Sequence, residues 1–179
     1  LHAMKIEKEL QNNKAKEYSF SDIAYYANRI LEQRSKSILA KVDVIEIAQY
    51  FGFKVFYEPL NLDQEDVEYM LIGKKKIIKL GSNMEYKLKR LIIVWDLGCY
   101  LFDYLGSESQ SNNEYYYVQY LSQDMNSMKA KNAYQFAMEI LMPREQFLQE
   151  YYSTKREPKE SFIQLEYLSN LFEVPEKCI

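Results

Sequence analysis

The chain has 179 residues, with 23 Lys and Arg against 26 Asp and Glu, a formal net charge of -3 and a pI near 5.4. That length suits a single domain with a sizeable core, and the intermixed charges form no basic stripe, so direct nucleic-acid binding is not expected. The longest apolar run, Leu91 to Trp95, is far too short to span a bilayer and no charged-then-apolar signal opens the chain, so a cytoplasmic protein without membrane contact is expected.

The first three residues, Leu1-His2-Ala3, read as a cloning remnant before Met4, residues 4–20 as a polar arm that is frayed or weakly helical, and residues 21–179 as one domain. Ser21-Asp22 offers a helix N-cap, with Ile23, Tyr26, Ala27, Ile30 and Leu31 forming an inward stripe up to about Ser37. A second helix is predicted from about Val42 to Phe51, with Asp43 in its first turn, Val44, Ile47 and Ala48 inward, and Gly52 just beyond. Phe53 to Tyr57 alternates as a strand. After a loop from Pro59 to Asp66, Val67–Ile72 and Lys76–Leu80 read as two more strands around Gly73-Lys74-Lys75, completing a small, three-stranded antiparallel sheet.

Ser82-Asn83 is placed to cap a long helix from about Leu88 to about Leu105, on which Leu88, Leu91, Ile92, Trp95, Cys99 and Phe102 share one face while Lys87, Lys89 and Arg90 face solvent. This helix is expected to be the core, and within it Trp95-Asp96-Leu97-Gly98-Cys99 occupies the frame of His-Glu-x-x-His. Histidines at i and i+4 sit one above the other on a helix and can grip a zinc ion, with the Glu as general base. Here an indole and a single thiol stand at those places, and by themselves they read as core packing.

Beyond Gly106, Ser107 to Asn113 is polar and loop-like, and Glu114 to Tyr120 is compatible with strand or helix. From Ser127 a helix carries Ala133, Phe136, Ala137, Ile140 and Leu141 on one face until Pro143 interrupts it. Pro143 suits the start of a helix from Arg144 to about Tyr152, carrying Phe147 and Leu148. Pro158 opens a last one, with Phe162, Leu165, Leu168 and Leu171 or Phe172 inward.

Cys99 and Cys178 have no disulfide-framework or metal-ligand spacing and are expected to be reduced, and the sole histidine is His2. With that residue set aside, Ser-His-Asp triads, Cys-His pairs and histidine-based zinc sites are all closed to this chain. The 17 tyrosines fit either an interface rich in aromatic anchors or the codon bias of an AT-rich genome.

Taken in order, Val42 to Tyr57, the hairpin at 67–80, the central helix, Asn132 to Pro143 with its Phe-Ala-x-x-(Ile/Leu)-Leu-Met-Pro ending, and the closing Leu165 to Val174 resemble the ImmA/IrrE family of zinc-dependent metallopeptidase-like proteins, over most of residues 38 to 175. The resemblance implies an α+β, zincin-like fold with a small antiparallel sheet packed on the motif helix. It also implies a His-Glu-Leu-Gly-His helix and a third, glutamate ligand opening a later helix. Carried over, the first histidine falls on Trp95, the general-base glutamate on Asp96, the second histidine on Cys99 and the third ligand on Asn132, while Leu97, Gly98 and Tyr100 retain scaffold residues. Zinc is expected in the family, but its ligands are absent here, so no metal or other cofactor is expected. The substitutions agree with one another: Trp fills the vacated cavity, Cys packs as a small hydrophobe, and Asn avoids a lone buried carboxylate. Glu139 reads as a solvent-side carboxylate or as a group supporting the site.

The resemblance implies a protein partner, typically a helix-turn-helix repressor of a phage, mobile element or stress circuit, that is cleaved or bound and displaced. The expected function is therefore that of a catalytically inactive binding or regulatory module. The alternatives are an active zinc-dependent endopeptidase using Cys99, Asp96 and Asn132 as unconventional ligands, and an interaction domain unrelated to repressors.

Overall fold

The computed structural model describes residues 2–13, 17–34, 41–59, 69–73, 75–107, 116–118, 126–154 and 161–179. Its helices are α1 (His2–Asn12), α2 (Phe20–Arg34), α3 (Val44–Tyr50), α4 (Tyr86–Cys99), α5 (Met128–Leu141), α6 (Arg144–Ser153) and α7 (Ser161–Phe172). The strands are β1 (Phe53–Glu58), β2 (Tyr69–Ile72), β3 (Lys76–Gly81) and β4 (Tyr116–Val118). Expectations for most of the 59–66 and 107–113 loops, and for Pro158, lie outside the described residues.

The sheet is mixed, in the order β1-β3-β2-β4, and not the three-stranded antiparallel sheet expected. β2 does run opposite to β3, with Met70 opposite Ile78, joined through a tight turn in which Gly73 N–H donates to Lys75 O. The return strand β3 then lies between β1 and β2, so the pair in contact with β1 is β1/β3, parallel from Phe53↔Lys76 to Glu58↔Gly81. Alternation marks a strand and its buried face but not its neighbour. The ambiguous stretch supplies β4, which closes the outer edge of β2 by antiparallel pairing, Ile72↔Tyr116 to Met70↔Val118. Phe53, Met70, Ile72, Ile78 and Leu80 are buried, which places the core on one face of the sheet.

Helix α4 is that core. Every residue from Arg90 to Cys99 is buried, and burial continues through Tyr100, Leu101 and Phe102 in a π-helical turn (Tyr100–Tyr104) that extends α4. A helix with no solvent face must be enclosed on all sides; β3, α3 and above all α5 supply the walls. The cap is Glu85, whose carboxylate accepts from Lys87 N and Leu88 N, in place of the expected Ser82-Asn83. The three basic residues expected in solvent are drawn in: Lys87 Nζ donates to Ser169 Oγ and Asn170 Oδ1, Lys89 Nζ to Ser82 O, and Arg90 is only 5% exposed.

The N-terminal segment is a docked helix, not a frayed arm, and Ala3, from the stretch read as a remnant, is buried in it. Ala3, Ile6 and Leu10 recur at helical spacing within an otherwise polar run and all three are buried. Polar contacts hold the helix down: Lys76 Nζ lies 2.8 Å from Glu7 Oε1 and 2.6 Å from Tyr100 Oη, Tyr100 O–H donates to the same Glu7 oxygen, and Arg29 pairs bidentately with Glu9. Burial and the nearby Glu7 push the Tyr100 phenol well above its ordinary pKa, so the hydroxyl stays a donor. Helix α2 is capped by Ser19, not Ser21-Asp22: Ser19 Oγ accepts from Asp22 N and Asp22 accepts from Ser19 N, a reciprocal capping box.

Helix α7 buries Gln164, Leu168, Ser169 and Phe172, while Phe162, expected inward, is exposed. The helix is phased by its polar bonds, with Gln164 Nε2 donating to Tyr151 O at the end of α6. It stops at Glu173, which takes a left-handed φ of 52° as Val174 N reaches back to Ser169 O. Glycine would fit that backbone better, but the glutamate side chain meets Lys41 Nζ at 2.9 Å and Arg90 Nη1 at 3.5 Å and accepts from Tyr86 O–H. Arg90 also donates to Glu173 O and Val42 O, tying the end of α7 and the stretch before α3 to α4.

Two stability predictions follow from these contacts. Burial acts to raise the Glu173 pKa, but Lys41, Arg90 and Tyr86 outweigh it and hold the carboxyl below the ordinary glutamate value. The folded value being the lower, this stabilisation is present above about pH 4.3 and is lost as pH falls through the folded pKa. Glu173→Gln should therefore lower the urea midpoint at pH 7, and the gap to wild type should close in acid below pH ~4. A Cβ on Gly98 would lie 2.8 Å from Ala133 Cα and 3.0 Å from its carbonyl oxygen, backbone atoms that cannot step aside. Gly98→Ala should cost about 1–3 kcal/mol in chemical denaturation, and Ala133→Gly should not rescue it.

Candidate functional site

The carried-over positions occupy two touching helices. Trp95, Asp96 and Cys99 lie on α4, Asn132 lies in the first half of α5, and the helices meet backbone to backbone where Gly98 faces Ala133. Cys99 and Asn132 are thus immediate neighbours in sequence of the two residues at the closest approach. All four positions are buried: Trp95 and Asp96 are 0% exposed, Cys99 1% and Asn132 9%.

These residues do not fit a zinc ion. Of the positions where three ligands would stand, one holds an indole with no lone pair to give, one a neutral amide and only one a thiol. Trp95 is among the largest fully enclosed side chains of the core, filling the space beside α4 with apolar volume. Among the described residues no group of three or more His, Cys, Asp and Glu could hold a metal. Asp96 is also closed to solvent, so a peptide and an attacking water have no access to its carboxylate.

Concave surface lies elsewhere. A groove of about 560 Å³ is bordered by the start of α3, the end of β1, the first turns of α4 and the close of α7, with Tyr57, Tyr86, Lys89, Arg90, Ile93 and Glu173 among its walls. Burial, with the neighbouring Tyr86, raises the Tyr57 pKa, so its hydroxyl remains protonated. A second groove of about 500 Å³ runs between α2 and the α5–α6 junction, lined by Phe20, Leu31, Glu32, Glu139, Pro143 and Arg144. Glu139 borders this second groove; half-burial raises its pKa and Arg144 partly opposes the rise.

Arg90 and Glu173 were not singled out as site residues by the sequence. For Arg90 a signal existed: residues 90, 94, 97 and 101 follow the three-and-four rule, so Arg90 continues a stripe otherwise made of Val94, Leu97 and Leu101. For Glu173 there was none, since nothing in the sequence announces a left-handed glutamate.

The geometry defines an α+β domain in which a small mixed sheet packs on a buried helix crossed by a second helix at a glycine. Residues 48–179, well over half of the chain, match the IrrE N-terminal-like domain, and the chain belongs to that family. No curated protein matches it. It is a metallopeptidase-like member without a metal-binding cluster among its described residues, and none of its described helices is long and apolar enough to cross a membrane.

Purified protein should carry far less than one zinc per chain by elemental analysis after dialysis. One zinc per chain, lost in Cys99→Ala, would contradict the donor argument. Trp95→Ala should cost about 3–5 kcal/mol, as for other large-to-small changes in a packed core, and added zinc should not restore the stability.

Proposed function

We propose that this chain is a catalytically inactive member of its family that works in the cytoplasm by binding a protein partner, a helix-turn-helix repressor of a phage, mobile element or stress circuit. The observation that supports the first part is the full enclosure of Trp95, the indole onto which the family resemblance carries the first metal ligand. Without zinc, Asp96 has no polarised water to act on, because a water away from a metal stays close to its bulk acidity. Of the two modes of action implied by the family resemblance, cleaving a repressor and binding it, only binding uses what the chain retains. The choice of a repressor rests on the resemblance alone, since fold and function are separable.

The test takes the helix-turn-helix repressor encoded nearest to this gene, incubates it with wild type and with Asp96→Asn, and follows it by gel and by binding titration. Both proteins should leave the repressor intact and bind it with the same Kd within a factor of about two, while the variant should lose ~1 kcal/mol of stability from an altered buried polar group. Metal-dependent cleavage by wild type that the variant lacks would reject the proposal in favour of an endopeptidase with unconventional ligands. Absence of binding to the repressor would remove the named partner.

A further inference from the structure

We propose that the outer edge of β1 and the adjoining groove receive an extended segment of the protein partner, with an acidic side chain of that segment seated against Lys89. This rests on the binding role proposed above and names the face and the chemistry it uses. A sheet of order β1-β3-β2-β4 has two outer edges, and β2, the inner antiparallel strand, is already paired on its far side by β4. No described strand pairs with the outer edge of β1, which therefore offers its alternate backbone N–H and C=O groups to an added strand.

The side chains of β1 suit that use. Phe56 and Tyr57 are 46% and 47% exposed on opposite faces of the strand, so an added strand would find an aromatic contact on each side. Tyr57 points to the helix side, where it forms a wall of the groove opposite Tyr86.

Charge in the groove selects the occupant. Its two carboxylates are engaged: Asp43 accepts from Ile45 N and Glu46 N as the cap of α3, and Glu173 is held by Lys41, Tyr86 and Arg90. Of its cations, Lys41 and Arg90 meet the Glu173 carboxylate and Lys89 does not. Lys89 bonds one carbonyl, Ser82 O, and lies 5.2 Å from the Tyr57 ring centre, and no carboxylate pairs with it among the described residues. Arg90, 95% buried at the groove floor, donates to Glu173 O and Val42 O and faces the Glu173 carboxylate, so its charge is met within the fold. A carboxylate entering beside Lys89 supplies the counter-charge that this ammonium lacks.

The experiment selects a random dodecapeptide phage library on the full chain, then synthesises an enriched peptide in its native form and with its acidic residue changed to the amide. Enriched peptides should share an acidic residue among alternating apolar ones, and the amide form should bind about tenfold more weakly. The native peptide should shift the backbone NMR signals of Phe53–Glu58. Lys89→Gln, with an unchanged melting temperature, should lose the preference for the acidic form, and Lys89→Arg should keep it. Equal affinity of the two forms, shifts confined to the exposed faces of α6 and α7 or to the groove beside α2, or no enrichment would each overturn the proposal. A repressor that binds wild type and Lys89→Gln equally would overturn this face while leaving the proposed function standing.

Discussion

The close approach of α4 and α5 at Gly98 and Ala133 is the constraint on which the rest of the structure depends. With no Cβ on Gly98, the two backbones come within the distance at which any side chain would collide with Ala133 Cα. That contact lets two apolar helices share one core layer, so α4 can be buried on all sides and still be roofed by the sheet. It also fixes which residues meet. Because Cys99 and Asn132 flank the contact point, any chemistry at those positions is decided in a dry, crowded layer, where an unpaired charge is heavily penalised.

The same constraint explains why a scaffold can outlast its chemistry. Gly98 and Ala133 serve packing whatever stands beside them, so the helix crossing is maintained by stability alone. Ligand positions have no such protection. A dry layer is filled most effectively by large apolar groups, and Trp95 on α4 is fully enclosed in the core. A small thiol at 99 and a neutral amide at 132 fit the same dry environment, with no ionised pair to desolvate.

Element type was legible in the sequence wherever periodicity was strong, and partners were not. The stretch from Leu88 to Leu105 was readable as the central helix because its apolar residues recur at three and four. Its cap was misplaced by two to three residues because Glu85, a less usual cap than Ser or Asn, performs the role. The β1/β3 pairing was illegible, since alternation is a property of one strand and says nothing about which strand slides between two others. In α1 the apolar signal was present in Ala3, Ile6 and Leu10, but charged neighbours masked it; those charges, Glu7 and Glu9, turn out to be fasteners to Lys76 and Arg29. Of the site, the four positions carried over from the family frame were readable in the sequence, whereas the groove at Arg90 was not, because it is assembled from segments more than 80 residues apart in the chain.

Arg90 shows why that groove differs in kind from the vestigial layer. Both are built on α4, one turn or so apart, yet burial has opposite consequences at the two places. Around Trp95 and Cys99 it asks for few polar partners, because those two groups are largely apolar. At Arg90 it creates that need, since a guanidinium has five donors to satisfy. Glu173 answers part of the demand, in a left-handed conformation that glycine would adopt more easily, and Val42 O answers another part. Beside Arg90, Lys89 stands in a concave wall next to an edge of β1 that no described strand pairs, the combination that strand-adding recognition sites use: backbone bonds give general affinity and one charged pocket gives selectivity.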